Sequence, residues 1–518
     1  MDGEDQERRR HCLIRMPGHS MSANPNTFTE SDGTLASPTV SGGAARNQDP
    51  RVRIGAFDRN KVLLACVGLA GLLSLSFLAF GYDVEPYVVL LTVMAAAAAI
   101  ALTRKCMPVL IAGFLYVGNF KTTAAAGFSV TDPTFVVLVL CGAGLLIECL
   151  LIFSAAEHSS LIVLFAGQGR GILLFVVFVL GVVLSQFYTA APESGLVKAE
   201  RIAVFGTLAF FAPFVLFKKE KDLRQFLIAS VLMSLALSIR NLVNLFHPTA
   251  AVLAGDQDIT HIGDGELIAG AIVILIYQRL FRERRILHFG CIAVLAIGLV
   301  ASAARSVGLA LLVVLVISPM LLRSHAAPRR PRRLVLGILV IAVAAAALQW
   351  IAQLPAARSK LAHKEDELGQ LLKGSFLPGG TVEQRVNFYR QSLLAIAEKP
   401  LLGWGVGGWG VFFLGMDKNE IPHNFVLESA VEQGLIGCGS LLAFLIAAGA
   451  ALRKILHRSG SPYAFLVPTF LLPIITGMVT GGLDNRWLWF WCGTIFAVSR
   501  MIQEQLQQLP VYGGLRMR

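Results

Sequence analysis

From residue 61 to residue 502 the chain alternates between long apolar stretches and short segments of charged and turn residues. A helix needs roughly 20 mostly apolar residues to cross a bilayer, so these stretches predict transmembrane helices. The predicted spans are 61–80, 84–102, 106–120, 134–153, 171–190, 201–217, 223–246, 264–281, 286–303, 306–322, 333–352, 424–451, 463–482 and 486–502. The stretch 106–120 is short and is also compatible with a re-entrant segment. We therefore expect an all-α polytopic membrane protein with about 12–14 transmembrane helices.

The clusters of basic residues between the predicted spans all fall on one side of the membrane. They are Arg51, Arg53, Arg59 and Lys61; Arg104 and Lys105; Lys218, Lys219, Lys221 and Arg224; Arg282, Arg284 and Arg285; Arg329, Arg330, Arg332 and Arg333; and Arg453, Lys454 and Arg458. Cytoplasmic loops carry an excess of Lys and Arg, so this side is predicted to be the cytoplasm and both termini lie there. The segments 191–200 and 247–263 are predicted to lie on the opposite side.

Composition supports this class of protein. Of the 518 residues, 55% are hydrophobic and 15% are charged, against about 25% charged residues in soluble domains. The formal net charge is +12, but the basic residues are spread over loops rather than gathered in one patch, which argues against nucleic-acid binding. The eight cysteines are scattered without a CxxC pair, so neither a zinc site nor a disulfide framework is expected.

The predicted organisation has five parts. They are a disordered cytoplasmic tail over 1–55, a transmembrane bundle over 56–352, a large extracytoplasmic loop with short helices over 353–423, C-terminal transmembrane helices over 424–502, and a cytoplasmic tail over 503–518. No apolar segment of a signal peptide follows the first basic residues.

The large loop contains three recognisable segments. The stretch 357–372 is amphipathic and is predicted to lie on the membrane surface. Thr381 and Gln384 form a capping box, which predicts a helix to about residue 397 with Arg385 and Tyr389 on one face. The glycine-rich segment 403–410 formally contains GxGxxG.

Because no βαβ unit surrounds that GxGxxG pattern, a dinucleotide site is rejected. We expect instead a tight loop at the membrane surface, with Trp404 and Trp409 anchored at the level of the lipid headgroups.

Ionisable side chains follow this loop directly. His423 and Asn424 stand at the start of an apolar helix, and Glu428 and Glu432 share one face of it. Carboxylates inside a span are costly and by default functional or paired. The alternative is that both carboxylates are shallow enough to reach interfacial water, and that His423 is an ordinary loop histidine.

Further charged residues fall on the same side of the membrane. Arg305 lies where two apolar stretches meet, and an arginine buried between helices must be paired or bind an anion. Arg240 lies near the outer end of its span, and Asp264 and Glu266 begin the next span. These last three residues are equally compatible with a structural network.

The motifs of the late loop resemble those of a known family. The chain carries R-x3-Y-R from Arg385, then KPLLGWGVGGWG, then PHNFVLESAVEQGLIG leading into a span, and an earlier Arg305 after Ser-Ala-Ala. This pattern resembles the O-antigen ligase / Wzy-type polysaccharide polymerase family of bacterial envelope glycosyltransferases. The family usually has Ser-Arg-Gly at the earlier arginine, whereas Ala304-Arg305-Ser306 stands here.

The resemblance implies a GT-C-like, metal-independent inverting glycosyltransferase of the bacterial inner membrane, with no cofactor. Its donor would be an undecaprenyl-diphosphate-linked glycan, and its acceptor a sugar hydroxyl on another glycan or on lipid A-core. His423, Arg305 and Arg385 are then the predicted catalytic residues, with the arginines on the diphosphate and His423 as base or phosphate ligand. The predicted substrate-binding residues are Asn424, Glu428, Glu432, Tyr389 and Arg240.

Three alternatives stay open at this point, and one of them is an oligosaccharyltransferase that acts on Ser or Thr of a protein. A polymerase that extends the glycan on its own lipid carrier shares the donor motif with a ligase. A transporter or flippase of envelope glycans is the alternative from another class, although no repeated halves with broken helices are recognisable in the sequence.

Overall fold

A computed structural model describes residues 107–120, 137, 140–142, 144–145, 168–246, 257–278, 280–281, 284–302, 304–322, 381–459 and 461–508. The described residues all lie in the second of the chain's two compact units, Asp58–Arg518. The predicted tail 1–55, the spans 61–80, 84–102 and 333–352, and the amphipathic stretch 357–372 lie outside them.

The described residues form helices and no strand. The α-helices are α1 (Met107–Tyr116), α2 (Gly169–Ser185), α3 (Pro192–Glu200), α4 (Thr207–Leu216), α5 (Glu220–Phe246), α6 (Gln257–Tyr277), α7 (Arg285–Ala301), α8 (Arg305–Leu321), α9 (Thr381–Glu398), α10 (Gly408–Leu414), α11 (Phe425–Ser459), α12 (Leu466–Gly477) and α13 (Arg486–Gln508). A π-helical turn, Arg201–Gly206, joins α3 to α4, and 3-10 turns cover Val117–Phe120 and Ser461–Tyr463.

Three of the described helices are long and apolar enough to cross a membrane: Pro192–Leu216, Glu220–Val243 and Phe425–Arg458. Shorter apolar helices accompany them, among them α2, α7, α8 and α12. The prediction of a helical membrane protein is therefore confirmed, while the total of 12–14 spans and the sidedness of the loops stay predictions. The predicted division between 286–303 and 306–322 is also confirmed, because α7 ends at Ala301 and α8 begins at Arg305.

One segment differs from the expected loop. Residues 192–200 are helical and continue through the π-helical turn into α4, so the helix is longer at its N-terminal end than predicted. Pro192 occupies the first turn, where its fixed φ suits a helix. The Asp417 carboxylate accepts hydrogen bonds from the N–H groups of Glu193 and Ser194, at 2.9 and 3.1 Å. The exposed N–H groups of this helix end are thereby satisfied from a distant loop.

The aromatic first turns of α13 form the centre of the core. Trp489, Phe490 and Trp491 are fully buried, and α13 packs against α4, α11 and α12. Trp489 also packs against Phe175 of α2 at 5.6 Å between ring centroids. At the start of α13, Asn485 Oδ1 accepts from the N–H of Trp487 at 3.0 Å, as a helix cap. This packing fixes the position of the turn 481–485, which borders the site described next.

Candidate active site

The helix α11 is broken one third of the way along its length. Gly434 has φ 67° and ψ −170°, so the intrahelical hydrogen bonds are interrupted there. The carbonyls of Val431 and Glu432 accept instead from the N–H groups of Trp404 and Gly405, at 2.8 and 2.9 Å. Broken helices occur at membrane depth only where other protein groups satisfy the freed backbone. Here the glycine-rich loop supplies those groups.

The glycine-rich loop fits between α11 and the segment that leads into α3. Gly405 has φ 82°, and a Cβ atom on it would collide with the backbone of Thr189. The hydroxyl of Thr189 donates to the carbonyl of Val406 at 2.6 Å, and the N–H of Ala190 donates to the carbonyl of Trp404 at 3.3 Å. The predicted tight loop is confirmed, and its glycines allow this close backbone approach.

The two tryptophans of this loop pack inside the protein. Trp409 is fully buried and stacks on Phe413 at 5.2 Å, with Phe388 of α9 edge-on to it. Trp404 is half-buried, and its indole N–H donates to the carbonyl of Ala395 at 3.0 Å. The predicted headgroup anchoring is therefore wrong for Trp409, because its ring joins α9 to the loop and reaches no lipid.

The two carboxylates of α11 form a buried ion cluster with Lys198. Lys198 lies on α3, and its ammonium group contacts Glu428 and lies 2.6 Å from Glu432 Oε1. Glu428 also accepts from the N–H of Leu483 at 3.0 Å. Both carboxylates have no exposed surface and Lys198 is 2% exposed. The alternative of shallow, hydrated carboxylates is wrong, and neither carboxylate is open to a substrate in this structure.

Lys198 is a site residue that the sequence analysis missed. It lies 230 residues before Glu428 along the chain, inside a segment expected to be a loop. The available signal was the pair of carboxylates, since buried charges of one sign require a partner. The pattern of the sequence gave no position for that partner.

His423 and Asn424 lie at the start of α11, as predicted. Asn424 caps the helix, with Oδ1 accepting from the N–H groups of Val426 and Leu427 at 3.0 and 3.1 Å. His423 has φ 55°, and no glycine stands there to relieve that conformation. Its ring stacks on Phe388 with centroids 5.7 Å apart. Such strained residues cluster at functional sites.

The imidazole of His423 has an electrostatic environment set by α9. Nδ1 is buried and has no hydrogen-bond partner among the described residues. Burial and the Arg385 guanidinium lower the pKa of His423 below its usual value, against opposing effects of the Thr480 backbone and Glu420. The lowered pKa favours the neutral imidazole, whose Nδ1 has no partner within the described residues.

The helix α9 carries two of the predicted residues. It spans Thr381–Glu398, which confirms the helix predicted from the capping box. Arg385 and Tyr389 are both half-buried on it. The Tyr389 hydroxyl donates to the carbonyl of Met478 at 3.3 Å, beyond the end of α12. Among the described residues no carboxylate pairs with Arg385, so its charge remains available to a ligand.

The predicted network of Arg240, Asp264 and Glu266 is only partly formed. Arg240 forms an ion pair with Asp264, and Asn119 bonds to both residues. Glu266 instead accepts two hydrogen bonds from the Asn485 amide, at 3.1 and 3.0 Å. Arg240 is thus engaged in the fold, and its predicted contact with substrate stays a prediction.

Arg305 is exposed at the first position of α8, so the predicted burial between helices is wrong. The chain turns between α7 and α8, and the first residue after such a turn projects from the helix end. A Cβ on Gly265 would meet Ala304, so this turn lies beside Glu266 and, through Asn485, beside the turn 481–485. The described part of the chain thus places Arg305 at the end of the helices that also carries Glu428.

No group of three or more His, Cys, Asp or Glu side chains that could hold a metal ion occurs within the described ranges. The fold and the site define a helical membrane protein with a cationic, imidazole-bearing site at one end of its helices. Residues 290–442 match the family model described as O-antigen ligase.

The predicted resemblance is confirmed over that part of the chain, which includes Arg305, Arg385, His423 and both buried glutamates. The match supports a glycosyltransferase-like activity of the O-antigen ligase or polymerase type on lipid-linked glycans, in a bacterial membrane. No curated protein matches the chain.

Proposed function

We propose that this protein transfers a glycan from an undecaprenyl-diphosphate carrier to a sugar hydroxyl at the outer face of the bacterial inner membrane. The observation that carries the proposal is the pair of Arg385 and His423. An arginine without a carboxylate partner in the described structure faces an imidazole with a free nitrogen. Both residues lie within the part of the chain that matches the O-antigen ligase family.

The chemistry of this transfer needs a cation and a base. The acceptor oxygen forms a bond to the anomeric carbon while the bond from that carbon to the diphosphate oxygen breaks. The electron pair goes to the diphosphate, where a guanidinium binds phosphate oxygens in a bidentate manner and keeps its charge. Arg385 has this role in the proposal. Arg305, exposed at the same end of the helices, adds a second cation.

His423 receives the proton of the acceptor hydroxyl in this proposal. A general base needs a pKa near or below the working pH, so that it is neutral before the reaction. The lowered pKa of His423 suits this role, and Nδ1, which is buried in this structure, has no competing partner among the described residues once the bound acceptor reaches it. In the alternative role, a cationic His423 binds the diphosphate. The pH dependence of the rate distinguishes these two roles.

In this proposal the buried Glu428 and Glu432 and the half-buried Asn424 and Tyr389 support the site rather than contact the substrate. Asn424, Glu428 and Glu432 fix the first turns of α11, from which His423 projects. Tyr389 ties α9 to the end of α12 through its hydrogen bond to Met478. His423 and Arg385, which act on the substrates in this proposal, are thereby held on helices that are connected to one another.

A ligase and a polymerase differ in their acceptor, and the glycan profile of a deletion strain separates them. A strain that accumulates long carrier-linked polymer and bare lipid A-core has lost a ligase, whereas one with single repeat units has lost a polymerase. Complementation with His423→Ala should reproduce the deletion phenotype. His457→Ala, at the opposite end of α11, is the matched control and should restore the wild-type profile.

Substitution of Arg385 tests the diphosphate role. Arg385→Lys keeps the charge but loses the bidentate geometry, so most of the activity should be lost. Arg453→Lys, on the exposed far part of α11, is the control. Activity of Arg385→Lys near that of the control would contradict the diphosphate role. An unchanged glycan profile in the deletion strain itself would instead favour transport of another substrate.

A further inference from the structure

A second pair of charged side chains lies beside the proposed active site. Arg201 Nη1 lies 3.3 Å from Asp484 Oδ2, and the side chains are 43% and 37% exposed. We propose that this pair binds hydroxyl groups of the glycan substrate. The inference rests on the proposed function, and it adds a site for the sugar next to the site for the diphosphate.

The surroundings of Gly482 show that Asp484 lies near the start of α11. A Cβ atom on Gly482 would lie 3.0 Å from Asp484 Oδ1, 3.4 Å from Glu428 Oε2 and 3.5 Å from Ile421 Cδ1. Ile421 precedes His423 by two residues. The Asp484 carboxylate therefore lies beside Glu428 and Ile421, at the end of α11 that carries His423, and Gly482 lets these side chains approach closely.

Arg201 and Asp484 both lie next to residues that are fixed by buried polar contacts. Arg201 follows Lys198 by one helical turn, and Lys198 is fixed between two carboxylates of α11. Asp484 lies between Leu483, whose N–H donates to Glu428, and Asn485, whose amide donates to Glu266. Two exposed side chains thus project from an immobile support, as a preorganised binding site requires.

Stability alone gives little reason for such a pair. An exposed ion pair contributes little to the free energy of unfolding. Arg201 also lies nine residues into the helix Pro192–Leu216, where an ionisable residue is a functional candidate by default. The backbone at Arg201–Gly206 is π-helical, and such turns are frequent at functional sites.

The chemistry of the pair points to a sugar rather than a phosphate. The charge of Arg201 is compensated by Asp484, whereas Arg385 has no such partner within the described residues. A neutral pair with spare guanidinium donors and carboxylate lone pairs fits hydroxyl groups, which donate and accept at once. An uncompensated guanidinium fits a diphosphate. The two arginines thus divide the recognition of one substrate complex between them.

The test uses the full-length protein in proteoliposomes. The donor is carrier-linked glycan extracted from the deletion strain, and the acceptor is lipid A-core from that strain or, for a polymerase, the carrier-linked single repeat. The variants are Asp484→Asn and Arg201→Lys, with Glu504→Gln as control. The control removes one carboxylate from the pair Arg500–Glu504, which also has a separation of 3.3 Å and lies near the other end of α13.

We expect both subsite variants to raise KM for one glycan substrate by about tenfold while kcat stays within about twofold, because hydrogen bonds to charged groups are lost. Varying the donor and the acceptor separately shows which of the two glycans the pair binds. Gly482→Ala, whose Cβ would crowd the Asp484 carboxylate at 3.0 Å and displace it, should raise the same KM.

Kinetics of the subsite variants equal to those of Glu504→Gln would overturn the subsite while leaving the proposed function intact. A lower kcat with unchanged KM for both the donor and the acceptor would also overturn the subsite, since that result indicates a structural role. Full activity of His423→Ala in the same vesicles would instead contradict the proposed function itself.

Discussion

Replacement of Lys198 by methionine should destabilise the protein strongly. Methionine has a similar volume and no charge, so the substitution leaves Glu428 and Glu432 without their cation. Both carboxylates have no exposed surface, so water cannot replace the ammonium group. Loss of one partner from a buried ion pair costs about 3–5 kcal/mol, and two carboxylates depend on Lys198 here. We expect a loss near the upper end of that range.

The design that tests this reasoning removes the carboxylates as well. The triple variant with Lys198→Met, Glu428→Gln and Glu432→Gln contains no buried charge in the cluster, and neutral replacements of buried ion groups are often tolerated. It should therefore regain much of the stability lost by Lys198→Met. Unfolding by SDS titration in mixed micelles measures both variants, and Lys454→Met, at an exposed position of α11, is the control.

Two results would refute the argument. If Lys198→Met were as stable as Lys454→Met, the charge interactions of the cluster would contribute little to the free energy of unfolding. A triple variant no more stable than the single variant would mean that the loss came from packing of the Lys198 stem and not from the unpaired carboxylates. Activity of the triple variant then reports whether the cluster also positions His423.

Two further predictions concern the loop and the pH dependence. Gly405→Ala should prevent correct folding, because its Cβ would collide with Thr189. Gly415→Ala is the control: Gly415 has φ 72° with open space around its Cβ, so this substitution should destabilise the protein far less. Equal expression of the two variants would contradict the close approach of Gly405 to Thr189. If His423 is the base, the acidic limb of the pH–rate profile should lie below pH 6.5, because its pKa is lowered. Arg385→Gln should raise the pKa of His423, since a repelling cation is removed, and NMR titration of the imidazole measures this shift independently of the low activity expected of the variant. In the wild-type protein, a rate that instead falls as pH rises through this range would indicate a cationic phosphate ligand.

The local patterns of the sequence were sufficient for α9 and for the start of α11, but not for α3. The spacing of Thr381 and Gln384 predicted α9, which begins at Thr381, because signals of a helix start depend on residues within one turn. The position of His423 before an apolar stretch likewise placed it at the start of α11. Glu428 and Glu432 were expected on one face for the same reason, since the helical repeat alone sets that relation.

Other features depended on parts of the chain that meet only in three dimensions. The break at Gly434 is stable because Trp404 and Gly405, from the preceding loop, replace its lost hydrogen bonds. Trp409 was expected at the lipid surface, but its surroundings are the rings of Phe388 and Phe413. An indole ring suits an interface and a core equally well, so its sequence context did not distinguish them.

By itself the sequence determined the membrane-protein class, the catalytic candidates His423 and Arg385, and the presence on one helix face of two acids that were expected to be functional or paired. Only the tertiary structure decided that Lys198 is their partner, that Arg305 is exposed, and that Arg201 and Asp484 meet beside Gly482. The physical reason is the separation along the chain over which each kind of interaction acts. Helical periodicity and capping act over a few residues, whereas a buried charge is satisfied by whichever partner the packing of distant helices brings within a few ångströms.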